Sequence, residues 1–112
     1  MLTDPVAMDC TRVLLDLPIR PDSVFCYNDS AALVAMRCCL AAGLTVPHDI
    51  SIVGFDDTAA AMLGHRPLTT LRIDKKALGT RGVELLLRSQ TEPVIETVSP
   101  VQLVVRASTV MG

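Results

Sequence analysis

Ser23-Val24-Phe25-Cys26-Tyr27-Asn28-Asp29-Ser30 is the stretch that decides the fold. Its first five residues form a short apolar run rich in strand formers, and the next three can each cap a helix, so strand passes directly into helix. Ala31 to Ala42 then sets Leu33, Met36 and Leu40 on one stripe, with Ala32, Ala35 and Cys39 beside it, and Gly43 supplies a left-handed stop. The theme recurs downstream. Leu44 to Asp49 turns, Ile50 to Phe55 reads as a second strand, and that strand too ends in polar residues, Asp56-Asp57.

Working outward, Asp4-Pro5 opens a helix, because Asp accepts an orphan backbone N–H and Pro loses nothing at the first helical position. Val6, Cys10, Val13, Leu14 and Leu17 recur at helical spacing and predict an apolar face, which Pro18 to Pro21 ends. On the other side, a short Ala/Met/Leu segment covers Thr58 to Leu63, and Leu68 to Ile73 is strand-like. Asp74 caps a helix from Lys75 to Gln90 whose buried side should carry Leu78, Gly82, Leu85 and Leu86. Lys75 and Lys76 are the wrong charges for its first turn. Glu92-Pro93 breaks it, and Val101 to Ala107 is a last strand.

Apolar strands alternating with amphipathic helices imply an α/β domain of three layers, a doubly wound parallel sheet covered on both faces. The first element is a helix with no strand before it, so the sheet is expected to be small and bare on at least one edge.

Composition bounds the function. The chain has 112 residues, 50% hydrophobic and 20% charged, with 10 basic and 12 acidic side chains. That is a packed interior with little charge to cover its surface, too apolar for a domain standing alone. Net charge is −2, and seven acidic against three basic residues in positions 1 to 56 leave that half at −4, so no basic footprint for nucleic acid exists. No apolar run is long enough to span a bilayer and no leader pattern opens the chain, which reads as cytoplasmic. Cys10, Cys26, Cys38 and Cys39 have no CxxC spacing and lie far from His48 and His65; reduced, buried thiols are expected, without metal or cofactor.

In an open α/β sheet, ligands bind beyond the carboxyl ends of the strands. Asn28 offers a donor and acceptors there and an ionised Asp56 offers acceptors, a pairing suited to vicinal hydroxyls. Asp29 and Asp57 fit helix capping better, and capping remains an alternative for Asn28 and Asp56. An acid pair at Asp56-Asp57 could hold Mg²⁺ for phosphoryl transfer, but no phosphate-cradling loop, HExxH or GxSxG accompanies it, so no enzyme is expected.

Val24 to Asp29, Ala31 to Leu40, Gly43 to Asp57, Pro67 to Arg72 and Leu103 to Thr109, in that order, closely resemble the lactose-repressor/galactose-repressor family of bacterial transcription regulators. The resemblance covers nearly the whole chain from Asp4. It implies the C-terminal part of a two-lobed effector-binding domain like the periplasmic sugar-binding proteins. Residues 4–71 and 94–109 would belong to the C-terminal lobe, and 72–90 to a crossover and helix completing the N-terminal lobe. It further implies a homodimer that binds a sugar or related effector and reads operator DNA only through a helix-turn-helix domain outside these residues. Asn28 and Asp56 match effector-binding positions. Tyr27 stands where a small residue is usual and would stack on the effector or narrow its pocket. Leu33, Met36, Arg37, Leu40, Met62 and Leu63 match the dimer interface, although the same stripe of Leu33 and Met36 fits a core. Ile73 and Lys75 depart from the family pattern at pocket positions. With one wall of the cleft, negligible sugar affinity is expected for these residues alone, and self-association is expected. A fragment of a periplasmic sugar-uptake receptor is the alternative.

Overall fold

A computed structural model describes residues 4–93 and 96–110. Three helices share one opening device: an Asx side chain accepts the backbone N–H three residues on. Asp4 accepts from Ala7 (3.0 Å) to start α1 (Pro5–Leu15), Asn28 from Ala31 (2.8 Å) to start α2 (Asp29–Ala41), and Asp74 from Ala77 (2.9 Å) to start α3 (Lys75–Arg88). α2 therefore begins at Asp29, and Asn28 is its cap. It ends as expected, with Gly43 at φ 82° just past the last turn.

The strands are short: β1 (Ser23–Phe25), β2 (Ser51–Val53), β3 (Thr70–Ile73) and β4 (Val101–Val104), with a 3₁₀ turn at Ala59–Met62 between β2 and β3. β1 and β2 pair in parallel, Ser23 opposite Ser51 and Phe25 opposite Val53, and a single parallel bridge, Val53 to Thr69, joins β2 to the residue before β3. The sheet is not parallel throughout. β3 and β4 form an antiparallel ribbon, Thr70 opposite Val104 and Ile73 opposite Val101, because the chain that leaves along β3 through α3 returns beside the strand it left by. The segment after β4 closes back on the core: Ile52 N–H donates to the Ser108 carbonyl (2.9 Å), and Ser108 Oγ donates to the Ile52 carbonyl (2.5 Å) while accepting the Thr69 N–H (2.8 Å).

The core is built mainly by α2, β2 and the segments that flank β2 and precede β3. Met36, Ile50, Ile52 and Leu68 are fully buried, with Ala32, Leu33, Cys39, Val46 and Ala61 around them. Small residues on α2 let it lie close to β2 and to the 3₁₀ turn, and α1 packs on α2.

Two predicted faces are not buried. In α1 the buried residue is Thr11, whose hydroxyl donates to the Ala7 carbonyl (2.6 Å), while Leu14 is half-buried and Val6, Cys10, Val13 and Leu17 face solvent. In α3 no residue is buried; Leu78 and Leu86 are exposed and Leu85 is half-buried, because no other described element covers the helix. The antiparallel ribbon and α3 instead form an arm. The chain measures 57 × 29 × 25 Å with a radius of gyration of 17.3 Å, against about 13 Å for a compact domain of this length. Its accessible surface, 7555 Å², likewise exceeds the roughly 6,000 Å² usual for this mass. Residues 94 and 95, where the expected return segment 94–109 begins, lie outside the described residues.

Candidate functional site

The register of β1 and β2 carries Asn28 and Asp56 to the same edge of the sheet, two neighbouring strand ends tied by the Asp29 N–H donating to the Phe55 carbonyl (2.9 Å). Both residues are half-buried, and Tyr27 beside them is exposed. Asn28 uses its Oδ1 on the α2 cap, which leaves its amide nitrogen as the group for other partners.

Asp56 lines an open cleft of about 600 Å³ at the root of the arm, together with Asp57, Arg72, Ile73, Asp74, Lys75 and residues 100–102. Asn28 and Tyr27 do not line this cleft. Ile73 and Lys75, the departures from the family pattern, do. Asp74, Pro100 and Gln102 were missed by sequence reasoning; the connection through α3 brings them beside Asp56 only once the ribbon folds back.

The acidic neighbours of this pair do different work from the capping expected of them. Asp29 is fully buried: its Oδ2 accepts the Thr58 N–H (2.7 Å) and hydroxyl (3.0 Å), and its Oδ1 accepts the Thr70 hydroxyl (2.6 Å). It ties the start of α2 to the turn after β2 and to β3. Gly54 makes room for it, since a β-carbon there would fall 2.5 Å from Asp29 Oδ1 and 2.8 Å from the Leu68 side chain.

Asp57 caps nothing either; Thr58 precedes the 3₁₀ turn without a side-chain cap. Its Oδ2 accepts from Arg72 Nε (2.6 Å) and its Oδ1 from Arg106 Nη2 (2.6 Å), and Arg106 also donates to the Leu68 carbonyl (3.0 Å). Burial pushes the Asp57 carboxyl up, but the hydrogen bonds and charges of Arg106 and Arg72 outweigh it and hold the group below the usual carboxylate range. With both oxygens taken by guanidinium groups, Asp57 is not the free partner that a Mg²⁺-holding acid pair would need. Among the described residues no group of three or more His, Cys, Asp or Glu could hold a metal ion.

Of the expected dimer positions, Leu33 and Met36 are buried in the chain's own core and Leu40 is half-buried. Arg37, Met62 and Leu63 face outward. The thiols divide similarly: Cys39 is buried, Cys26 and Cys38 are intermediate, and Cys10 is exposed, contrary to the expectation of buried thiols throughout. Burial, reinforced by Cys39, pushes the Cys26 thiol up to about 11, and burial also raises Cys39.

Residues 3–109 match the family model of the periplasmic binding protein-like domain. The chain belongs to the periplasmic binding protein-like family. Within it the relatives point to the lactose-repressor/galactose-repressor branch. The chain is 36% identical over 88 residues to the ribose operon repressor of Escherichia coli, covering 79% of this chain and 27% of that protein. It is 40% identical over 105 residues to the transcriptional repressor PurR of Pasteurella multocida, covering 89% and 31%. The lac repressor dimer bound to operator and the anti-inducer ONPF superposes with a TM-score of 0.84 at 38% identity, over 94% of this chain and 37% of that one. The regulator CelR in complex with cellobiose gives 0.83 at 31% identity, over 91% and 32%. This member of the family thus spans about a third or less of the length of these relatives. No helix among its described residues is long and apolar enough to cross a membrane.

Proposed function

We propose that the chain is the effector-sensing and dimer-forming part of a cytoplasmic, DNA-binding transcriptional repressor, and that its effector is a sugar or sugar derivative. The observation that carries this reading is that the paired strands β1 and β2 end side by side, one at Asn28 and the other at Asp56, residue types that together offer a donor and acceptors to vicinal hydroxyls, with Asp56 lining the cleft. Relatives named for ribose and arabinose and a neighbour holding cellobiose support a sugar as the ligand class. Tyr27, exposed beside Asn28, offers an aromatic face to a sugar ring. With a net charge of −2, these residues carry no surface for operator DNA, whose contact falls to a helix-turn-helix part. Effector control then follows from unequal affinity for two arrangements of the lobes.

For dimerisation, Met62 and Leu63 with Arg37 are the outward-facing groups, 55% and 81% exposed at the two apolar positions, while Leu33 and Met36 support them from the core. The test is nuclear magnetic resonance titration of the labelled chain with ribose, glucose and cellobiose at high concentration. Weak, saturable shifts confined to Tyr27, Asn28, Asp56 and their neighbours are expected. Sugar-induced shifts scattered over the surface, or confined to residues away from Tyr27, Asn28 and Asp56, would overturn the assignment of the site.

A further inference from the structure

Asp56 and Asp57 are the non-glycine residues with positive φ among those described, at 106° and 50°. Side chains with a β-carbon adopt such backbones at a cost, and they persist only where the surroundings over-determine them. Here three consecutive residues are fastened. The Asp56 N–H donates to the Leu71 carbonyl (2.9 Å), both Asp57 oxygens are gripped by Arg72 and Arg106, and Thr58 is held twice by Asp29. Arg72 lies on β3 and Arg106 on the segment following β4, so the two guanidinium groups reach Asp57 from two different parts of the chain.

We propose that Asp57 is a positioning residue for Asp56: by gripping Arg72 and Arg106 it holds the left-handed turn that aims Asp56 into the cleft at the root of the arm. This rests on the reading of Asp56 as a ligand-binding residue. Asp57 borders the same cleft, but each of its oxygens is committed to a guanidinium group. Its contribution is to fix the direction of its neighbour and, through β3 and the segment after β4, to tie that direction to the seating of the arm. A sugar hydroxyl would then meet an Asp56 already oriented, which spares the ordering cost of binding.

The test compares amide hydrogen exchange in the wild-type chain and in Asp57→Asn and Arg72→Gln variants. Exchange at Asp56 is expected to accelerate about tenfold in Asp57→Asn and about threefold in Arg72→Gln. Ile52, bonded to the Ser108 carbonyl on the far side of the core, should change by less than about twofold, a local effect that general destabilisation would not give. Unchanged exchange at Asp56, or equal acceleration at Asp56 and Ile52, would overturn the proposal. Arg72 is half exposed, so its variant keeps the question decidable if Asp57→Asn does not fold. No sugar enters this measurement, so its failure is distinct from failure of the sugar titration. In Asp57→Asn the sugar-induced shifts at Asp56 should shrink while those at Asn28 persist.

Discussion

Replacing Asp29 by alanine removes the acceptor of three hydrogen bonds at 2.6, 2.7 and 3.0 Å from a site with no solvent exposure. Each bond to a carboxylate is worth about 1.5 to 3 kcal/mol, and the Thr58 N–H would be left without this acceptor. The three share one carboxylate and are not additive, so a loss of about 4 kcal/mol is expected, set against a total of roughly 5 to 15 kcal/mol for a domain of this size. Asparagine keeps the shape and one acceptor oxygen. With the charge gone and Thr70 obliged to accept in place of donating, it should cost about 2 kcal/mol. Urea denaturation followed by circular dichroism measures both: with a slope of about 1.5 kcal/mol per molar, the midpoint should fall by roughly 2 to 3 M for alanine. A double-mutant cycle with Thr70→Val, which swaps the hydroxyl for a methyl, should return a coupling above about 1 kcal/mol. A loss below about 1 kcal/mol for Asp29→Ala, or additivity with Thr70→Val, would refute the role given to this carboxylate.

Two further outcomes are expected. Because its arginine partners hold Asp57 below the usual carboxylate range, its folded pKa lies under the unfolded value near 3.9; the stability it contributes is present above that pH and lost as pH falls through the lowered folded value. Acid unfolding should therefore move to higher pH in Arg106→Gln, and an unchanged acid midpoint would count against the ion pair. Maleimide labelling of the native chain, read by mass spectrometry, should modify Cys10 first and leave Cys39 unmodified. Cys26, with its thiol pushed up to about 11, should react about a hundredfold more slowly than an exposed cysteine; uniform labelling would contradict the burial of these groups.

Local periodicity made the helices and the first two strands legible, because their signals are short-range: an Asx cap three residues before the N–H it satisfies, an apolar run, a glycine at the stop. What failed depended on partners distant in sequence. The stripes Val6/Cys10/Val13/Leu17 and Leu78/Leu86 have the spacing of buried faces, yet periodicity cannot say which element covers a face, and no other described element covers these. The direction of β4 against β3 was equally hidden, since a strand-like run after a helix reads the same whether it pairs forward or backward. Ser108 gave no local signal at all; its importance comes from Ile52 and Thr69, both far away in the chain.

The candidate site shows why capping and binding were hard to separate from sequence. Each strand end supplies a polar dipeptide, Asn28-Asp29 after β1 and Asp56-Asp57 after β2, and in each the second residue bonds back into the scaffold, Asp29 fully buried and Asp57 between two arginines, while the first stays half-buried at the edge. Where an extended chain turns, adjacent side chains point apart, so one member of each pair can brace the scaffold while the other stays at the edge of the sheet. The second members are both carboxylates, and both brace β3: Asp29 through Thr70 and Asp57 through Arg72. A carboxylate has acceptor sites enough to join two elements at once, and burial among donors makes its loss expensive. Sequence chemistry rates all four residues alike as caps or ligands. Only the partners drawn from β3 and the segment after β4 divide them, leaving Asn28 and Asp56 as the groups with capacity to spare for a ligand.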